Sequence, residues 1–185
     1  MKRVCVIGGA GFLGSHVADA LSAAGHHVRI YDRKASAWLC DGQEMIIGDL
    51  MDVASLEAAV KGSDIVYNFA ALADLNQALD KPIETVKINV LGNAHVLETC
   101  CHYDVKRFFY ASTVYVYSRE GGFYRCSKQA SEHYVEEFQR VFGLDYTILR
   151  YGSIYGPRAD NSNSLYRIIK DALENDVIRY QGSPD

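Results

Sequence analysis

The stretch "VCVIGGAGFLGSHVADAL", residues 4–21, decides how the rest of the chain is read. A β-branched run gives way to four glycines, Gly8, Gly9, Gly11 and Gly14, and then to apolar residues at helical spacing. The glycines satisfy G-x-G-x-x-G from Gly9 and, overlapping it, G-x-x-G-x-x-G from Gly8. Between a strand and a helix, such a loop turns sharply at Gly8, lets backbone amides near Gly11 approach a pyrophosphate, and lets the helix pack tightly at Gly14. Phe12 and Leu13 then open a helix whose positive dipole end faces the phosphates. Taken alone, the loop also fits a glycine-rich turn that holds no ligand.

The second candidate strand narrows the choice. "VRIYD", residues 28–32, ends in Asp32, the position from which a carboxylate accepts hydrogen bonds from an adenosine ribose. A 2'-phosphate would be repelled there, so NAD is favoured over NADP. Arg33 is adjacent and reads as a surface cation, although a guanidinium in that place can hold such a phosphate. No lysine follows the glycines as G-K-[ST], which disfavours a P-loop nucleotidase.

Short β-branched runs continue to alternate with longer amphipathic ones, the pattern of βαβ units on a parallel sheet. Candidate strands are "KRVCVIG", "HHVRIYD", "EMIIGD", "DIVYNFA", "KRFFYAS", "DYTILRYG" and "VIRYQG"; candidate helices cover 12–24, 53–61, 83–103, 124–142 and 163–175. The expected fold class is α/β, a doubly wound parallel sheet (Rossmann fold) with helices on both faces. At 185 residues the chain suits one well-buried core.

A net charge of -4 gives no electrostatic reason to expect nucleic acid or an anionic membrane as partner. No apolar run approaches the ~20 residues of a membrane span, and glycines interrupt the only segment that could pass for a leader. Five cysteines lack C-x-x-C or paired-histidine spacing, which argues against zinc and a disulfide framework and fits a reducing cytoplasm. Cys126 reads as a small, partly buried residue.

In "GGFYRCSKQASEHY", residues 121–134, Tyr124 and Lys128 lie four apart at a helix start. Thirteen tyrosines and eight lysines in 185 residues produce roughly 0.6 Tyr-x-x-x-Lys matches by chance, and Tyr166 with Lys170 repeats the spacing. Spacing alone does not separate the two pairs.

Several further motifs stand in order: "GDL" at 48–50, "NFAAL" at 68–72, "INVLGN" at 88–93, "YASTVYVYS" at 110–118 and "LRYGSIYGPR" at 149–158. With the glycine loop and Tyr124/Lys128, the chain resembles the extended short-chain dehydrogenases/reductases, specifically the NAD-dependent epimerase/dehydratase family acting on nucleotide sugars. The resemblance implies that Asp49 and Leu50 lie beside the adenine, that Ala70, Ala71 and Leu72 contact the cofactor along its length, and that Asn89 steadies the active-site helix near it. Tyr151, in "LRYGS", falls among the cofactor contacts, as do Tyr124 and Lys128. In the family the catalytic Ser/Thr precedes a Val-Tyr pair by three residues; Val116-Tyr117 points back to Thr113, with Ser112 the neighbouring alternative. Tyr124 and Lys128 follow a strand ending in "ASTVY", whereas Tyr166 and Lys170 have no such hydroxyl upstream.

The chemistry also follows from the residues. With a pKa near ~10, roughly one tyrosine in a thousand is phenolate at pH 7. Lys128, one turn on, is expected to favour the phenolate by its charge. Thr113 donates to the substrate oxygen while Tyr124 takes the proton of a secondary alcohol as hydride leaves for the nicotinamide. A 4,6-dehydratase carries Asp-Glu after its threonine; Val114 and Tyr115 occupy those positions here, which favours an epimerase.

Relatives differ in two places. Between Tyr117 and Tyr124 only "SREGGF" intervenes where many relatives have a longer loop, and Ser153 stands where they commonly carry asparagine. The chain reaches "QGSPD" about where their smaller nucleotide-sugar domain builds up, so residues 1–175 are expected to form the NAD-binding domain and 176–185 the start of the substrate domain. The resemblance further implies a homodimer through helices 83–103 and 124–142, with Val90, Leu97, Tyr134 and Phe138 compatible. A non-catalytic NAD-binding module that reports cofactor state to a partner is the alternative from another class, and a plain ketone reductase a third.

Overall fold

The segments richest in β-branched and aromatic residues form one all-parallel sheet in the computed structural model, which describes residues 1–178. Its strands are β1 (Arg3–Ile7), β2 (His27–Asp32), β3 (Glu44–Ile47), β4 (Ile65–Asn68), β5 (Arg107–Thr113) and β6 (Tyr146–Tyr151), in the order β3-β2-β1-β4-β5-β6. The chain winds outward in both directions from β1 and β4, so a crevice opens at their carboxyl ends. The expected seventh strand runs into residues 179–182, which lie outside the described residues.

Six helices belong with this sheet: α1 (Phe12–Ala23), α2 (Val53–Val60), α3 (Leu75–Asp80), α4 (Pro82–Val86), α5 (Gly92–His102) and α6 (Gly122–Phe142). A seventh, α7 (Ser164–Asn175), belongs to a second compact unit that begins at Gly152, the first unit being Met1–Tyr151. The apolar run of β1 is buried on both faces, as a central parallel strand requires. Cys5 and Ile7 join Leu56, Leu97, Phe108, Tyr110 and Val135 under α2, α5 and α6. Val4 and Val6 face the other way, with Ala18 of α1 and with Val28 and Ile30. Leu97, compatible in sequence with a dimer contact, is therefore a core residue, and Phe138 packs against the same core; Tyr134 is exposed.

The helix expected over 83–103 contains a π-helical turn, Lys87–Leu91, between α4 and α5. Periodicity does not reveal such a turn, because one added residue leaves the flanking patterns intact. The six-residue α3 is too short for periodicity to mark; Asp74 caps it by accepting from the Gln77 amide at 2.8 Å. Cys126 is exposed rather than partly buried.

Gly8 and Gly25 have similar positive φ, +76° and +81°. A Cβ at Gly8 would lie 2.6 Å from the Ala70 amide nitrogen, whereas at Gly25 nothing lies within 4 Å. Gly25→Ala is expected to cost about 1–2 kcal/mol of stability, from the left-handed backbone alone. Gly8→Ala adds a collision with backbone and is expected to cost about 3 kcal/mol or more. Urea unfolding of both variants checks this; equal losses would show that the approach of the loop to β4 is unimportant.

Candidate active site

The carboxyl ends of β1, β2 and β4 frame a cleft lined by Gly8, Gly11, Asp32, Arg33, Asp49, Leu50, Ala70 and Ala71. All eight are positions singled out in the sequence. Ile7, Tyr31, Gly48, Phe69 and Ile88 complete the lining. None of the five was singled out by number, although Gly48, Phe69 and Ile88 fall within motifs quoted above; Ile7, Tyr31, Gly48 and Phe69 stand at or just past strand ends, and Ile88 is on the π turn.

Backbone polarity distinguishes the mouth of α1. Asp52, Asp74 and Asn163 cap α2, α3 and α7 by side-chain hydrogen bonds. At α1 the N-cap is Gly11, in extended conformation, and no side chain caps it. The first intrahelical bond there is from the Ser15 amide to the Gly11 carbonyl at 3.0 Å, so the amides of Phe12, Leu13 and Gly14 precede the helical ladder. A Cβ on Gly11 would meet only the Gly8 carbonyl, at 3.3 Å, so its other side is open. On Gly14 a Cβ would come within 2.2 Å of that same carbonyl, so the tight contact foreseen at Gly14 is against the loop itself. Asp32 accepts from the Ala10 amide at 3.1 Å and from the Lys34 amide at 3.3 Å, tying the loop to β2. The Asp49 carbonyl accepts from the Tyr31 hydroxyl at 2.8 Å, and its carboxylate from the Met51 amide at 2.9 Å. Uncapped amides for a pyrophosphate, a carboxylate for a ribose and the apolar wall of Ile7, Leu50 and Phe69 are a donor set that fits a dinucleotide.

Further along the same edge stand the residues with reactive groups. Thr113 ends β5 in register with Tyr151 at the end of β6. Its Oγ1 accepts from the Tyr115 amide at 3.2 Å, starting a single 3-10 turn over Val114–Tyr117 and leaving the hydroxyl proton to be donated. Ser112 points to the opposite face, where its hydroxyl donates to Glu132. Of the two candidates, Thr113 is thus the one whose proton is not committed.

Lys128 is 2% exposed, and its Nζ donates to the Ala111 carbonyl at 2.7 Å. The ammonium lies 4.7 Å from the centroid of the Tyr110 ring and 5.8 Å from that of Tyr124. Burial pulls its pKa down to about 7, against which Glu132 acts to keep it charged. Burial and the neighbouring Tyr115 push the Tyr124 phenol up to about 12. Burial thus moves both groups toward their neutral forms, against the direction in which the charge of Lys128 would act on the phenol.

Asn89 and Leu72 lie behind the cleft and are bonded to each other. The Asn89 amide donates to the Leu72 carbonyl at 3.1 Å and its oxygen accepts from the Leu72 amide at 2.7 Å. The same Asn89 nitrogen donates to Ser127 Oγ at 2.9 Å, and Ser127 donates to the Tyr124 carbonyl at 2.7 Å. A chain of hydrogen bonds thus runs from the π turn to the first turn of α6. Tyr166 and Lys170, the other pair at this spacing, lie on α7 in the second unit. Among the described residues there is no His/Cys/Asp/Glu cluster able to hold a metal ion, and no helix long and apolar enough to cross a membrane.

Comparison with known proteins places these features. The NAD dependent epimerase/dehydratase family matches residues 4–184. A putative UDP-glucose 4-epimerase of Methanocaldococcus jannaschii is 29% identical over 85% of this chain and 57% of its own length. The dTDP-D-glucose 4,6-dehydratase of Dictyostelium discoideum is 27% identical over 99% of this chain and 51% of its own. The crystal structure of the UDP-glucose 4-epimerase of Thermus thermophilus, a complex with NAD, superposes with a TM-score of 0.84 at 31% identity, over 92% of this chain and 62% of that one. The chain therefore spans between half and two thirds of the length of these relatives. Sheet order, glycine loop and family match agree: the chain belongs to the NAD dependent epimerase/dehydratase family.

Proposed function

We propose that this chain binds NAD in the β1/β4 crevice and supplies the catalytic half of a nucleotide-sugar epimerase. The observation that carries the reading is the placement of the uncapped α1 mouth, Asp32, Thr113 and Tyr124 with Lys128 along one carboxyl edge of the sheet. Bound NAD supplies a hydride acceptor and a positively charged nicotinamide ring. Gly8, Gly11 and the amides of Phe12 and Leu13 hold phosphate, Asp32 holds ribose, and Asp49 and Leu50 border the adenine, with Ala70 and Ala71 further along. Thr113 donates to the reacting hydroxyl, Tyr124 takes its proton, and the charge of Lys128, with that of the nicotinamide ring, would offset the burial that raises the phenol. Val114 and Tyr115 stand where a dehydratase needs carboxylates, so epimerisation is the preferred outcome. UDP-glucose is the first substrate to test, given the relatives' names. Ile83, Val86 and Phe142, all exposed on α4 and α6, support a homodimer through those helices, and the lack of a disulfide-framework spacing among the five cysteines supports a cytoplasmic setting.

One observation favours a second reading. The raised Tyr124 and lowered Lys128 are the reverse of an activated base, as suits an NAD-binding module without turnover. Calorimetry with NAD followed by UDP-glucose, with absorbance at 340 nm and epimer analysis, separates the two. Tyr124→Phe is expected to lower turnover by about a thousandfold while leaving NAD affinity within a few-fold. NAD binding without turnover on any nucleotide sugar supports the module; no NAD binding sinks both.

A depressed lysine also has a sign in stability. The unfolded chain holds the Lys128 proton up to about pH 10.5, whereas the folded chain releases it near pH 7. Between those values the unfolded state binds more protons, so this group's contribution to stability rises with pH. Wild type measured relative to Lys128→Met is expected to gain stability from pH 7 to about 10, most steeply near the middle of that window. Urea titrations of both proteins across the range test it, since effects of Cys5, Cys100 and the tyrosines are common to both; a flat difference overturns the assignment.

A further inference from the structure

Glu132 is the buried acid on α6, eight residues after Tyr124 and four after Lys128, so the three stand one turn apart on a single helix face. It is 6% exposed and accepts from two other elements of the fold. From β5 comes the buried Ser112 hydroxyl, whose neighbour is Thr113. From β6 comes Arg150, with Nε at 3.0 and 3.3 Å and Nη2 at 2.8 Å. The guanidinium in turn covers the Tyr117 ring at 4.9 Å and donates to its hydroxyl. One carboxylate thus joins the strand end that carries Thr113, the turn that follows it and the helix that carries Tyr124 and Lys128.

We infer that Glu132 is a positioning residue of the active site: it sets the charge state of Lys128 across one helical turn and locks β5 to α6, with Arg150 as the counterweight that tunes it. This rests on the proposed function for its use, but not for its test. The groups facing Lys128 are the Tyr110 ring and Ala111 carbonyl from β5, Tyr124 and Glu132 from α6, with Tyr115 of the 3-10 turn beside Tyr124. From the π turn the inward residue is the neutral Asn89. Glu132 is thus the acidic group among them. A carboxylate placed only to pair with Arg150 would not need this station.

The test is an NMR pH titration of Lys128 in protein labelled with 13C at the lysine Cε, assigned by Lys128→Met, without cofactor or substrate. Glu132→Gln is expected to move the Lys128 midpoint down by about one pH unit, and Arg150→Gln to move it up, since the acid is then uncompensated. Glu132→Gln with Arg150→Gln removes both members of the ion pair, guards against misfolding of the single variants, and still shifts the midpoint down. Midpoints that stay within about 0.2 unit of wild type in the double variant, or that move the same way in both single variants, overturn the proposal. Because lysine is read directly, failure of turnover on every nucleotide sugar would sink the proposed function and leave this result standing.

Discussion

Backbone packed on backbone at Gly8 is the constraint from which the rest of the molecule follows. The loop runs so close to β4 that the Ala70 amide occupies the place of a side chain, and Gly14 brings α1 down on the Gly8 carbonyl. That closeness aims the uncapped start of α1 into the crevice, since a side chain at either position would lift the helix away. Asp32 strengthens the arrangement by accepting from Ala10 while it borders the same cleft. The uncapped mouth of α1 and the Asp32 carboxylate are therefore one mechanical unit.

The second half of the site is held by polar groups buried in the core. Ser127, Ser131 and Glu132 on the buried face of α6 meet Asn89 and Ser112 beneath it, and each is hydrogen-bonded. In a low-dielectric interior such groups tolerate few alternatives, so they fix the rotation of α6 more sharply than apolar contacts would. They also account for the unusual condition of Lys128, whose ammonium has one carbonyl and two ring faces for company in place of water.

Much of this was legible in the sequence because it depends on local chemistry. Glycines at a strand end, an acid closing β2 and alternating β and α periods all act within a few residues, and the sheet has the doubly wound parallel order they imply. The cleft wall was less legible: Ile7, Tyr31 and Phe69 belong to it only because β1, β2 and β4 end side by side. Glu132 could have been found, since its spacing from Lys128 repeats that of Lys128 from Tyr124. Its partner could not, because the pairing with Arg150 depends on the register of β5 and β6. Nor does spacing report the loss of water, which pushes the Tyr124 phenol up and the Lys128 ammonium down.

The π turn at Lys87–Leu91 has a consequence for how this chain tolerates change in length. It stores one residue more than a regular helix, and that surplus turns Ile88 to the cleft while Asn89 points under α6. Deleting one residue of the turn would return the segment to an ordinary helix with the flanking faces still in phase, because the bulge is what absorbs the extra residue. Val96, Leu97 and Cys100 would keep their place in the core, and the loss would fall inside the turn, on the bonds from Asn89 to Leu72 and Ser127. The packing of the segment can thus survive a shortening that its hydrogen bonding beside the cleft cannot.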